Sequence, residues 1–61
     1  MLVKTGDLIR FTVSTYKHWG IGVVLREYNL VDRDGRKHDG YYYVLTHEGE
    51  KLVSDHFMDL I

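Results

Sequence analysis

The sequence predicts an all-β domain in which about five short antiparallel strands close into a small barrel. Apolar and polar residues alternate in several short segments, and no segment carries a useful length of helical apolar spacing. The chain has no proline, so it lacks a residue that often protects an open sheet edge. Closure removes the edges, which favours a barrel over the alternative of an open meander.

The first half of the chain predicts two strands separated by a polar loop. Strand one covers residues 7–13, where Ile9 and Phe11 share one face. Residues 14–18 are polar and aromatic without periodicity and form the loop. Strand two starts at Ile21, which Gly20 and Gly22 bracket, and ends near Tyr28, and its β-branched residues favour a strand over a helix.

The second half predicts a long exposed hairpin loop and three further strands. Asp34-Gly35 forms the tip of that loop, because glycine tolerates the positive φ that hairpin turns require. Ser54 or Asp55 caps one helical turn before the closing strand. The predicted segments are the loop 29–40, strand three at Tyr41–Thr46, a turn at His47–Glu50, strand four at Lys51–Val53, a helical turn at Ser54–Phe57 and a closing strand at Met58–Ile61.

Alternation along the strands also predicts the core. In strand three, Tyr42 and Val44 point to one face, whereas Tyr41, Tyr43 and Leu45 point to the other, so at least one face is expected to carry exposed aromatic area. Val23 and Val44 are expected in the core, so that an aspartate at either position abolishes folding.

Size and charge limit the class of protein. The 61 residues form one domain, 1–61, and chains of this length bury only roughly 60% of their unfolded surface. There is no cysteine to form a disulfide, so we expect that burial against a partner or in an oligomer adds to the stability of the small core. The net charge of −1 comes from interspersed charges, which weakens a nucleic-acid interpretation. No apolar signal or membrane-spanning segment is visible, and we expect a soluble protein.

Four segments carry a resemblance to a known superfold. They are Gly6–Phe11, Trp19–Val24, Tyr41–Leu45 and Val53–Ile61. With them the chain resembles the SH3-like superfold and, more narrowly, the short SH3-like barrel proteins of marine tailed bacteriophages, especially cyanophages. The resemblance covers nearly the whole chain. It implies a small SH3-like barrel with a one-turn helix before the last strand, located in the cytoplasm of the infected host cell or in the virion.

The chain ending is also similar to that of eukaryotic signalling SH3 domains. Ser54 and Phe57 match their closing motif, but Val53 stands where those domains have proline, and the tandem tryptophan is absent. The resemblance therefore implies the barrel but not the binding of proline-rich peptides.

An aromatic surface is the leading candidate for function. In an SH3-like barrel the first loop, the loop after strand two and the one-turn helix lie close together, which would join Tyr16, Trp19, Tyr41 and Phe57. Aromatic side chains dominate the binding energy of protein interfaces. The structural alternative is that Trp19 caps the barrel and Phe57 plugs its open end.

Enzymatic and metal-dependent functions are not predicted. The four histidines, His18, His38, His47 and His56, lie in separate loops without the short spacing of metal ligands. No serine has a nucleophile context, and a core this small leaves little room for a substrate pocket. We therefore expect no catalytic residue, no metal and no cofactor.

The sequence thus predicts a non-enzymatic protein-interaction module, and the resemblance implies that it is encoded by a phage and binds a host or phage protein. One alternative is a nucleic-acid-associated module, in which Arg33, Arg36 and Lys37 contact phosphate from the hairpin loop. Another is a minor structural component of the virion. The sequence leaves the oligomeric state open.

Overall fold

The computed structural model describes residues 3–28, 30–38 and 40–61, with the backbone alone described for Leu30, Lys37 and His38. Five strands form one antiparallel sheet in the order β6-β5-β2-β1-β7, and β3 pairs with β4 in a separate hairpin. The elements are β1 (Leu8–Phe11), a first 3-10 turn (Lys17–Trp19), β2 (Ile21–Glu27), β3 (Leu30–Val31), β4 (Lys37–His38), β5 (Tyr41–Thr46), β6 (Gly49–Ser54), a second 3-10 turn (Asp55–Phe57) and β7 (Met58–Leu60).

The prediction of an all-β chain with five antiparallel strands in its sheet is confirmed. The sheet is open within the described residues, because β6 and β7 are its two ends. Closure into a barrel therefore stays a prediction. The helical turn before the last strand is present as the second 3-10 turn, where the Ser54 hydroxyl accepts a hydrogen bond from the His56 amide at 3.3 Å.

Strand one is shorter than predicted, because it ends at Phe11 and not at residue 13. The next residue leaves the β1–β2 pairing, and its amide donates a hydrogen bond to the Phe57 carbonyl at 3.0 Å. Val13 then accepts a bond from the Tyr16 amide, which bends the chain into the first 3-10 turn. The loop between β1 and β2 is thereby tied to the second 3-10 turn.

The predicted hairpin loop contains a small hairpin of its own. Its turn is organised by Asp32, whose Oδ1 accepts from the amides of Asp34 at 3.0 Å and Arg36 at 2.9 Å. Gly35 has a φ of 79°, as predicted for the tip. The backbone of this turn is therefore held by local hydrogen bonds.

One face of the sheet, called the inner face, carries the core. Tyr42, Val44 and Thr46 are buried in β5, which confirms the predicted alternation of this strand. The buried hydrophobic residues are Val3, Ile9, Phe11, Val24, Tyr42, Val44, Val53 and Met58. The opposite side of the sheet is called the outer face.

The assignment of Val23 to the core was wrong. Val24 is fully buried opposite Val44, whereas Val23 is half-buried on the outer face. The cause is Gly22, which lies on the inner face: a Cβ there would overlap Val44 Cγ1 and lie 3.4 Å from Phe11 Cε2. Gly22 thus occupies a core position because the neighbouring side chains fill the space that a side chain of its own would need. The apolar residues on either side of Gly22 in β2 therefore face outward.

Candidate partner-binding surface

Three of the four predicted site residues come together between the β1–β2 loop and the second 3-10 turn. The rings of Tyr16 and Trp19 are stacked, with centroids 4.6 Å apart and planes 9° apart. The Phe57 ring lies 5.8 Å from that of Tyr16 in a tilted arrangement. We call Tyr16, Trp19 and Phe57 the aromatic cluster.

The aromatic cluster rests on the core through Phe11. The Phe11 ring meets Trp19 edge to face at 5.3 Å and Tyr16 at 6.5 Å. Such pairs contribute about 0.5–1.5 kcal/mol beyond the area that they bury. Because Phe11 is itself buried, the cluster is held in place by the core as well as forming part of the surface.

The members of the aromatic cluster differ in exposure. Phe57 is 38% exposed, whereas Tyr16 and Trp19 are half-buried. The Trp19 Nε1 atom is buried and has no hydrogen-bond partner. Phe57 is therefore more exposed than a plug of the core would be, and Tyr16 is more buried than a free loop tyrosine.

Tyr41 lies beside the aromatic cluster without joining it. It starts β5 opposite Ser54, the residue that caps the second 3-10 turn, and it is 41% exposed. The neighbouring Gly40 carbonyl accepts a bond from the Asp55 amide at 2.7 Å. Within the described residues Tyr41 makes no ring contact with the cluster, so the four predicted residues do not form one continuous stack.

Lys51 is a member of this surface that the sequence analysis missed. Its Nζ lies 5.4 Å from the centroid of the Trp19 ring, within the range of a cation–π contact. The side chain reaches the ring because Lys51 lies opposite Val44 in the β5–β6 pairing, on the inner face. The signal was available in the sequence, since the turn at His47 and Glu48 fixes this register.

The structure brings together two of the histidines that the sequence placed in separate loops. His47 Nε2 donates to the His18 carbonyl at 2.9 Å, and His18 Nε2 lies 3.4 Å from Glu48 Oε2. These contacts tie the β5–β6 turn to the first 3-10 turn beside the aromatic cluster. In the part of the chain that the structure describes, no three histidine, cysteine or acidic side chains form a metal-binding group.

The predicted phosphate-contact residues belong to the β3–β4 hairpin and not to the aromatic cluster. Arg33 and Arg36 are exposed in the β3–β4 hairpin, and the side chain of Lys37 lies outside the described residues. A further basic residue, Arg26, is engaged within the chain: it pairs with Glu50 at 2.8 Å and lies 4.1 Å from the Tyr43 ring centroid.

No helix among the described residues has the length and apolarity needed to cross a membrane. Comparison of the chain with protein-family models, curated proteins and solved structures finds no match. The function of this surface is therefore inferred from its own geometry and chemistry.

Proposed function

We propose that the chain is a non-enzymatic protein-interaction module of the SH3-like class, encoded by a bacteriophage, and that it binds a host or phage protein through the aromatic cluster. The strand order supports the SH3-like part of this proposal. The second 3-10 turn follows β6 and returns the chain to β1, with which the closing strand β7 pairs. The strands β2, β5 and β6 lie side by side in the same sheet.

The observation that carries the binding proposal is the exposed ring of Phe57 beside the stacked pair of Tyr16 and Trp19. Rings that are already packed lose little conformational entropy when a partner covers them. Aromatic side chains of this kind are enriched among the residues that dominate interface energies. Phe11 below and Lys51 beside the indole hold the rings in one arrangement.

The charges around the aromatic cluster favour a protein partner over nucleic acid. Lys51 and His18 lie beside it, but Glu48 and Asp55 lie in the same neighbourhood, at the β5–β6 turn and in the second 3-10 turn. Binding to nucleic acid depends on neutralising several phosphates with a basic surface. This surface is mixed in sign, as peptide-binding and protein-binding surfaces commonly are.

Affinity capture from infected cells with the intact chain identifies the partner, and variants then locate its binding surface. Phe57→Ala is expected to weaken the captured complex by more than about 1 kcal/mol, because it removes an exposed ring of the cluster. Tyr43→Ala is the matched control, since Tyr43 packs against Arg26 and Tyr28 away from the cluster. Equal affinities of both variants and the parent would contradict the proposal. Tyr41→Ala shows whether the surface extends along β5.

Titration with labelled oligonucleotides separates this proposal from the nucleic-acid alternative. The near-neutral chain is expected to give little response at micromolar protein and physiological salt. Tight binding that weakens steeply with salt, and that Arg33→Ala and Arg36→Ala remove, would favour the alternative.

A further inference from the structure

Lys51 is a charged residue beside the aromatic cluster that no opposite charge of the chain engages. Its Nζ lies 5.4 Å from the centroid of the Trp19 ring, and it forms no ion pair with a carboxylate of the described residues. Lys51 is half-buried, so part of its side chain still faces the solvent. An ammonium group has three donors and no acceptor, and an aromatic ring does not replace the oxygen atoms that these donors prefer. The ammonium can therefore still bind an anion.

The acidic residues near the aromatic cluster are already accommodated within the chain. Glu48 Oε2 lies 3.4 Å from His18 Nε2 and 3.9 Å from His47 Nε2. The Asp55 carboxylate packs against Gly40, where a Cβ would lie 3.1 Å from its Oδ1. Asp55 also begins the second 3-10 turn, where a negative charge lies near free amide groups. The charge that remains for a partner beside the rings is therefore positive.

Lys51 and the three rings of the aromatic cluster form a chain of contacts. The steps are 5.4 Å from Nζ to the Trp19 centroid, 4.6 Å from there to Tyr16 and 5.8 Å from Tyr16 to Phe57. At about 3.3 Å per residue, at most roughly five residues of extended chain reach from the ammonium to Phe57. Phe57 is 38% exposed at the far end. One short peptide segment can therefore contact both Lys51 and Phe57.

The rings make an ion pair at Lys51 more effective than an isolated pair on a surface. Exposed pairs contribute little, because both side chains must be ordered and water screens their charges. Here the contact with Trp19 already restricts the ammonium, so less conformational freedom is lost when an anion binds. An apolar side chain of the partner laid on the rings also excludes water, which strengthens the attraction between the charges.

From these observations we infer that Lys51 binds a carboxylate of the protein partner and thereby determines which segments the aromatic cluster recognises. The recognised segment carries an acidic residue within about five positions of the apolar residue that covers Phe57. This inference rests on the proposed function, since it assigns the chemistry of the partner that binds at the same surface. The rings supply apolar contact area, whereas Lys51 discriminates between apolar segments with and without a carboxylate.

Selection from a random peptide library on the intact chain tests this inference. Peptides bound by the parent are expected to share an acidic residue close to an apolar or aromatic one. Lys51→Met is expected to select peptides without the acidic preference, because methionine keeps an unbranched apolar side chain and removes the charge.

The affinity of one selected peptide is then compared with that of its amide version, in which glutamine replaces glutamate or asparagine replaces aspartate. The parent is expected to bind the amide version about tenfold more weakly, because a charge-assisted hydrogen bond is lost. Lys51→Met is expected to bind both peptides equally. Arg26→Gln is the matched control: it removes a positive charge from the outer face and is expected to keep the tenfold difference.

The outcomes separate this inference from the proposed function. Peptides whose binding requires Phe57 but which share no acidic residue would overturn the inference and leave the proposed function standing. An acidic preference that persists in Lys51→Met overturns the inference as well. A chain that selects no peptide, or whose peptides bind Phe57→Ala as tightly as the parent, contradicts the proposed function and the inference with it. Amide spectra show whether each variant is folded, and Lys51→Gln takes the place of Lys51→Met if the latter is not.

Discussion

The inner and outer faces of the five-stranded sheet are made of similar residues in alternating positions, yet only the inner face is covered by the chain itself. Val24 is buried and its neighbour Val23 is half-buried, whereas Val44 is buried and its neighbour Leu45 is exposed. Tyr16 and Trp19 of the β1–β2 loop pack against the core on the inner face. The comparison shows that alternation alone defines two faces of a strand, whereas the connections decide which face is buried.

The connections achieve this through a few specific contacts. The Thr12 amide bonds to the Phe57 carbonyl at 3.0 Å, which joins the β1–β2 loop to the second 3-10 turn. Phe11 extends from the core to the rings of Tyr16 and Trp19 in that loop. On the outer face Leu8, Ile21, Leu45 and Leu52 remain between 47% and 58% exposed.

The largest expected effect comes from an aspartate at adjacent positions of β2. Val24→Asp is expected to abolish folding, because an unpaired buried charge costs several kcal/mol against a total stability of about 5 kcal/mol. Val23→Asp is expected to cost about 1 kcal/mol, since the side chain points to the outer face and loses mainly strand propensity. Urea denaturation followed by circular dichroism measures both. Equal loss of stability in the two variants would show that the two faces are not distinguished here.

The second-largest effect on stability is expected at Gly22, which packs tightly against Val44 on the inner face of the sheet. Gly22→Ala is expected to lower the free energy of unfolding by about 1–3 kcal/mol, because the new methyl group overlaps Val44 Cγ1. The cost should fall in a Val44→Ala background, where that overlap is relieved, and a double-mutant cycle measures the difference. Gly35→Ala is the control: its cost comes from a φ of 79° in the distant hairpin and is independent of Val44.

The tight turn between β5 and β6 gives a smaller effect on the inner side. The buried Thr46 hydroxyl donates to the Gly49 carbonyl at 2.9 Å and accepts from the Glu48 amide at 3.1 Å. Thr46→Val is expected to lower the unfolding free energy by about 1–2 kcal/mol, because both backbone groups lose a partner. Thermal melts of Thr46→Val and of the control variant Thr12→Val, which changes an exposed threonine, measure the effect. Equal melting temperatures of the two variants would contradict it.

The smallest effect is expected on the outer side, at the ion pair between Arg26 and Glu50. Both side chains are largely exposed, so Glu50→Gln is expected to lower the stability of the folded monomer by no more than about 0.5 kcal/mol. Added salt should remove even this difference. A loss of several kcal/mol would mean that the pair is shielded from water and that the outer face is not the open surface described above.

Much of the fold was predictable because strand periodicity and turn residues are local signals. The alternation of β5, the tip at Gly35 and the capping serine of the second 3-10 turn are all confirmed. The assignment of Val23 failed because Gly22 looks like a break in the apolar pattern, although it fills a core position through close packing. Sequence periodicity does not show which side chains pack against a glycine.

The candidate site was predictable only in part, because its contacts join distant segments. Tyr16, Trp19 and Phe57 meet as predicted, whereas Tyr41 lies beside them without ring contact. Lys51 joins the cluster through the cross-strand register of a hairpin. The contact between His18 and His47 depends on how two loops fold over the sheet, which no local pattern encodes.

The difference between the two faces is tested most directly by methyl nuclear magnetic resonance with a soluble paramagnetic agent. Inner-face methyl groups are expected to be protected from the agent, whereas outer-face methyl groups are expected to be broadened by it. The inner set is Ile9, Val24, Val44 and Val53, and the outer set is Leu8, Ile21, Leu45 and Leu52. Broadening of the inner set, or protection of the outer set, would contradict this account.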